Sequence, residues 1–212
     1  MPKNYISNSK ESVRMFKSDL LESVSKVHYS VPLFIFIPVI LYFAWKAIWE
    51  QHLSMALFAL YYLFGLFVWS LTEYIMHRFV FHLEPKHGNK TLERIHFIFH
   101  GVHHDYPSDT HRLVMPPSVS IPLSAAFYYL FSFFLETGPL AAFFSAFMSG
   151  YLFYDMTHYM LHHANFKSKF WKKLKKHHML HHYDDATKGY GVSSPLWDRV
   201  FSSDFLNKKN DQ

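Results

Sequence analysis

The sequence predicts an all-α, membrane-embedded fold: about four transmembrane helices with a histidine-rich site for two metals on the cytoplasmic side. Three observations predict it. Half of the 212 residues are hydrophobic and a fifth aromatic, with 23 Phe and 14 Tyr, while only 17% are charged. Leu53 to Leu71 carries no charge over about the length a bilayer core demands. His100-Gly101-Val102-His103-His104 recurs in spacing as His178-Met179-Leu180-His181-His182, and on a helix positions i, i+3 and i+4 share a face. Each HxxHH string is therefore expected to aim three imidazoles at one point.

Taken in order, Met1 to Ser30 is a polar, mixed-charge leader without the features of a cleaved secretion signal. Leu20, Leu21, Val24 and Val27 recur at helical spacing, as a stripe lying on a membrane surface would; disorder to about residue 15 is the alternative. The membrane domain is expected over 31–206, with 207–212 a frayed tail. Val31 to Trp49 is the first apolar segment, broken only by Lys46, whose stem can snorkel to the interface. Glu50-Gln51-His52 links it to the second, which runs on past the bilayer through Glu73, His77, Arg78 and His82. His77 and His82 are five apart, poor spacing for one ion on a regular helix. Either the helix ends near Phe81 or the two rings serve different metals. The polar stretch Glu84 to Lys90 leads into the helix of His96 and the first pentad, and Asp105 to Pro117 is a loop by its prolines and polar residues.

Val119 to Leu135 and Pro139 to Tyr154 form a second apolar pair, with Thr137-Gly138 as the turn. Each is short for a full crossing, so a shallow hairpin is the alternative. The last segment again overruns the membrane, placing Asp155, His158 and His162 on one helical face. A basic run with Lys167, Lys169, Lys172, Lys173, Lys175 and Lys176 follows, then the second pentad, a loop and a short amphipathic element. Lys and Arg concentrate in the leader, in 73–118 and after 163, and the two short links have none. The positive-inside rule then places both termini and every histidine cluster in the cytoplasm. The basic run reads as a face near anionic lipid or, alternatively, as a dock for an acidic electron carrier; nucleic acid is not among the partners expected.

The chain has no cysteine, so a metal must be held by His and carboxylate. Ten histidines fall in four groups: His77/His82, His100/His103/His104, His158/His162 and His178/His181/His182. That is too many for one ion and about right for two. The Glu-x-x-His pattern of ferritin-like sites and the HExxH string of zinc proteases are both absent. Rings placed singly and in pairs on elements continuous with membrane spans favour catalysis over storage.

In order and spacing, EYIMHRFVFH, HGVHHDYPSDTHRLVMPP, YDMTHYMLHH, LKKHHMLHHY and GYGVSSPLWDRVF resemble the fatty acid 2-hydroxylase family, part of the larger fatty acid hydroxylase and sterol desaturase group. The resemblance covers about residues 70 to 205. It implies a four-span helical fold with a cytoplasmic cap, with the ten histidines as ligands of two metals. His96, His163 and His177 neighbour the motifs without matching ligand positions and are expected to support the ligands, with Asp155 a candidate for orienting an imidazole.

The activity implied is oxygen insertion at carbon 2 of a long-chain fatty acid or sphingolipid acyl chain. An aliphatic C–H bond demands a redox-active metal, so iron is expected for activity together with O2 and an external reductant. Zinc fits the same ligands but has no redox chemistry. Many family members carry a fused cytochrome b5 domain whose haem-binding signature is absent here, so the electrons are expected from a separate cytochrome b5-like or ferredoxin-like protein. The same absence and the composition favour a bacterial inner membrane, with the endoplasmic reticulum the eukaryotic alternative. Other readings left open are hydroxylation or desaturation of a sterol or other lipid, a zinc-dependent lipid hydrolase, and a non-enzymatic metal binder.

Overall fold

The structure, a computed structural model, describes residues 6, 7, 9–83 and 89–205. The expected tail at 207–212, the first residues of the leader and most of the polar stretch from Glu84 lie outside it. Among the described residues every regular element is helical: α1 (Asp19–Val24), α2 (Val31–Trp45), α3 (Met55–Ile75), α4 (Lys90–His96), α5 (Val102–Asp105), α6 (Pro117–Ser132), α7 (Thr137–His163), α8 (Lys169–Tyr183) and α9 (Leu196–Val200). Three π turns interrupt or extend them, at Lys46–Glu50, Met76–Phe81 and Phe97–Gly101.

Local sequence accounts for the boundaries. Pro32 and Pro117 sit in the first turns of α2 and α6, where a missing N–H costs nothing. Asn89 caps α4 by accepting from the Leu92 N–H at 3.1 Å. Lys46 and Glu50 pair at 3.5 Å across one turn. The expected turn at Thr137-Gly138 lies slightly earlier, at 133–136, and both residues belong to the first turn of α7. The leader's apolar stripe becomes α1, with Leu20, Leu21 and Val24 exposed. Farther upstream the described residues are not helical, yet they are tied down. The Ser7 N–H donates to the Asp105 carbonyl at 2.8 Å, the Ser12 hydroxyl to Asp109 at 2.7 Å, and Arg94 to the Met15 carbonyl at 3.0 Å.

The chain divides into two compact units. The first comprises 16–71 and 114–156 and is apolar. Val31–Glu50 and Met55–Phe81 are long and apolar enough to cross a membrane. The side chains of Leu57, Leu60, Leu63, Phe64 and Phe67 point outward, as lipid-facing residues would and core residues would not. α6, with 16 residues, is shorter than a straight crossing needs. The unit's centre is packed from small residues and rings. Ala47, Ala141 and Ala142 are buried beneath Phe43, Leu53, Phe58 and Tyr61. Gly65 lets α3 approach the α7 backbone so closely that a Cβ there would stand 2.3 Å from the Phe143 carbonyl oxygen. Trp69 meets Phe147, Tyr151 and Tyr154 ring to ring, and the Ser145 hydroxyl donates to the Ile40 carbonyl at 2.9 Å.

The second unit comprises 1–15, 72–113 and 157–212. It receives the last residues of α3 and α7 and the whole of α4, α5, α8 and α9, and all ten candidate histidines fall within it.

Candidate metal centre

α3 does not end as a regular helix. Its last turn, Met76–Phe81, widens to the π pattern, and the His82 N–H closes onto the His77 carbonyl at 3.1 Å. A bond from i+5 to i places residues five apart on one face. His77 and His82 therefore converge, their Nε2 atoms 3.3 Å apart. Of the two sequence alternatives, the helix ending at Phe81 is the one found.

The ten rings form two groups of five. The first holds His77, His82, His100, His104 and His181; the second holds His103, His158, His162, His178 and His182. Within each group one nitrogen per ring lies within 4.8 Å of every other. In the first, Nε2 separations are 3.2 Å for His77–His100, 3.0 Å for His82–His100, 2.9 Å for His100–His104 and 3.0 Å for His82–His181. In the second they are 2.9 Å for His162–His178 and 3.2 Å for His178–His182.

This partition corrects the expectation that each pentad serves one point. In both pentads the i and i+4 rings enter one group and the i+3 ring enters the other. The reason is helical geometry: at 3.6 residues per turn, i+4 stands about 40° to one side of i and i+3 about 60° to the other. The two pentads are also crossed. α5 and its π turn give His100 and His104 to the first group and His103 to the second, whereas α8 gives His178 and His182 to the second and His181 to the first. His77 with His82 and His158 with His162 complete the exchange, so each group is built as two, two and one.

The arrangement fits metal ions and is unfavourable without them. Nitrogens held about 2.0–2.1 Å from one metal stand roughly 2.9–3.4 Å apart, the range seen here. Burial pushes His100, His103, His104, His178 and His182 well below the ordinary imidazole range, and neighbouring rings push them further. His82 falls to about 2 for the same two reasons. His181 falls to about 4 through burial, opposed by the Lys188 carbonyl and Asp198. The rings are thus neutral, with lone pairs available. Both nitrogens of His103 are buried without a hydrogen-bond partner, and a cation would satisfy the one that carries the lone pair.

Which nitrogen faces inward is set from outside. Nδ1–H of His77 donates to the Tyr190 carbonyl at 2.5 Å, and Nδ1–H of His181 donates to the Lys188 carbonyl at 2.6 Å. A ring nitrogen against a carbonyl must carry the proton, which leaves the lone pair on Nε2. Those carbonyls belong to a loop held by two buried carboxylates. Glu73 Oε1 accepts from the Val192 and Ser193 N–H groups at 2.8 and 2.7 Å. Asp198 accepts from the Tyr190 and Gly191 N–H groups at 2.8 Å each, from the Ser203 hydroxyl at 2.8 Å and from His177 at 3.0 Å. Burial would raise the Asp198 carboxyl, but its bonds from His177, Gly191 and Ser203 outweigh that and hold it below its usual value. Two glycines make the loop possible: Gly189 adopts φ +71°, and a Cβ on Gly191 would stand 2.8 Å from Asp198 Oδ2. Arg78 extends the network, donating to the Tyr74 hydroxyl at 2.6 Å, which in turn meets Ser203 at 2.8 Å.

The supporting residues expected from the sequence divide. His177 pairs with Asp198 and stands outside both groups, as does His163, which packs on Tyr159. His96 closes α4 and joins neither group. The bonds described at the Asp155 carboxylate come from the Met115 N–H at 3.2 Å and the Tyr151 hydroxyl at 3.4 Å rather than from an imidazole. Glu73 and Asp198 were not singled out from the sequence. A carboxylate at the end of a charge-free apolar helix was a usable signal for Glu73; Asp198 lies within GYGVSSPLWDRVF, the last of the strings that carry the resemblance.

The chain is similar to several known proteins over most of its length. It is 36% identical over 208 residues to human fatty acid 2-hydroxylase, an alignment covering 89% of this chain and 56% of that one. It is 36% identical over 194 residues to a dihydroceramide fatty acyl 2-hydroxylase of Arabidopsis thaliana, covering 91% and 80%. A solved structure described as full-length scs7p, with only the hydroxylase domain visible, matches with a TM-score of 0.82 at 36% identity, covering 88% of this chain and 70% of that one. The chain spans about half the length of the mammalian relatives it matches. The fatty acid hydroxylase profile matches residues 62–203, a stretch that includes all ten histidines and both clamping carboxylates, and the chain belongs to that family.

Proposed function

We propose that the protein is a membrane lipid hydroxylase that inserts oxygen from O2 at carbon 2 of a long-chain fatty acid or of a sphingolipid acyl chain. The observation that carries the proposal is the pair of five-imidazole groups in a chain whose relatives are named fatty acid 2-hydroxylase and dihydroceramide fatty acyl 2-hydroxylase. The ten histidines are the ligands of two metal ions, and iron is the metal that suits the reaction. The conversion takes a CH2 beside a carbonyl, O2, two electrons and two protons to a CHOH and water. Bound iron supplies the redox chemistry that no side chain of this protein possesses.

The protein's own residues position and protect. His77 and His181 present Nε2 because their Nδ1–H groups are engaged by carbonyls. The buried, neutral rings allow cations to bind without displacing protons at physiological pH. Burial of His77, His100, His103, His158, His178 and His181 keeps water from the site.

The proposal extends to placement. Four helices cross the bilayer, with α6 and α7 joining the two apolar helices that satisfy length and composition. The histidines emerge on the cytoplasmic side, where a carbon next to a carboxyl or amide sits at headgroup depth, and a separate electron carrier supplies the reductant. The test is expression in a host lacking 2-hydroxy lipids, followed by mass spectrometry of its acyl chains. Acyl species heavier by one oxygen at carbon 2 are expected with the wild-type chain and absent with His178→Ala. Unchanged acyl chains, with hydroxylated sterols or hydrolysed lipids instead, would move the chain to another reaction.

A further inference from the structure

We infer that Glu73 and Asp198 are positioning residues for the first histidine group, acting through the 188–193 loop whose carbonyl oxygens select the tautomers of His77 and His181. The inference rests on the reading of the histidines as metal ligands and adds that the two metal positions are supported by different parts of the chain.

The two carboxylates come from separate elements, α3 and α9, and grip adjacent stretches of one loop. Asp198 holds the N–H groups of Tyr190 and Gly191; Glu73 holds those of Val192 and Ser193. Four successive amides are thereby fixed, and the Gly191 amide shares its peptide plane with the Tyr190 carbonyl. The Lys188 carbonyl shares its plane with the Gly189 N–H, which donates at 2.8 Å to the carbonyl of Ser203, the residue whose hydroxyl donates to Asp198. The Tyr190 carbonyl takes the His77 proton and the Lys188 carbonyl takes the His181 proton, and both rings belong to the first group. In the second group the backbone partner of His162 comes from Pro107, on another segment. Asp198 and Glu73 are buried, so each of their bonds is made in a setting where losing one leaves a donor without water to replace it. Neither carboxylate is among the ligand atoms of either group, so their influence on metal is indirect.

A neutral amide at 198 is not equivalent to the carboxylate. Oδ1 accepts from Tyr190 and Ser203, and Oδ2 accepts from Gly191 and His177. An Asn amide nitrogen must face one of these donor pairs. Asp198→Asn therefore frees one end of the loop, and Glu73→Ala frees the other.

The experiment loads purified full-length chains with Fe(II) anaerobically, removes loose metal by dialysis and counts equivalents per chain. Wild type is expected to keep two. Asp198→Asn and Glu73→Ala are each expected to keep one, with the second bound at least tenfold more weakly. Asp109→Asn is expected to keep two, since that buried carboxylate bonds Ser12 and the His111 N–H and not the loop. Folded clamp variants that keep two ions with unchanged affinity, or that lose both together, would overturn the inference, as would Asp109→Asn losing one. Amide hydrogen exchange on the wild-type chain tests it independently of any variant's folding. Coupling is reciprocal, so metal loading is expected to slow exchange at 190–193 at least tenfold relative to chelated protein. Equal exchange in the two states would contradict it. A wild-type chain that binds no metal would instead refute the ligand reading itself.

Discussion

Imidazoles that must stay neutral are where the protein is most exposed to pH. His82, His100, His103, His104, His178, His181 and His182 all have folded values lowered, first by burial. In the unfolded chain each titrates near 6.5. Above that pH both states are neutral and stability does not change. Below it the unfolded state binds more protons, so stability falls as pH falls, toward about 4 for His181 and about 2 for His82. Metal-free protein in detergent is therefore expected to lose thermal stability steadily from pH 7 to pH 5. Protein loaded with metal is expected to retain its Tm farther into acid, because a bound cation must be displaced before a ring is protonated. A flat profile for the metal-free chain over that range would contradict the burial assigned to these rings.

Among the helices, close approach is bought by small residues, and Gly65 is the sharpest case. The Phe143 carbonyl that a Cβ would meet is backbone and cannot swing away. Gly65→Ala is expected to lower stability by about 1–3 kcal/mol, read as a reduced Tm in detergent; an unchanged Tm would mean α3 and α7 are not packed as described. The same scale shows what the sequence could reveal. Apolar runs and HxxHH spacing mark helices and candidate ligands because both depend on local periodicity. The pairing of His77 with His82 does not, since it needs a π turn that breaks the period. The split of each pentad follows from helical angles, but which ring joins which partner depends on where α5, α8 and the end of α7 meet. The loop that Glu73 and Asp198 hold is not legible in this way, because both accept from backbone N–H groups, and a backbone amide has no letter in a sequence.

For the whole molecule, the proposed four crossings put Glu136 on one side of the membrane and the basic face of α8 on the other. The absence of cysteine makes this simple to test with Glu136→Cys and Lys173→Cys. In right-side-out vesicles an impermeant maleimide is expected to label the first at once and the second only after permeabilisation; labelling of both from outside would rule out the topology. The central claim is that ten imidazoles, drawn from four helical segments and exchanged between two groups, hold two redox-active metals. The most direct measurement is the number of iron atoms retained per chain after anaerobic loading and dialysis. Two are expected in the wild-type protein, with loss of metal in His178→Ala; one or none in a folded wild-type chain would contradict the claim.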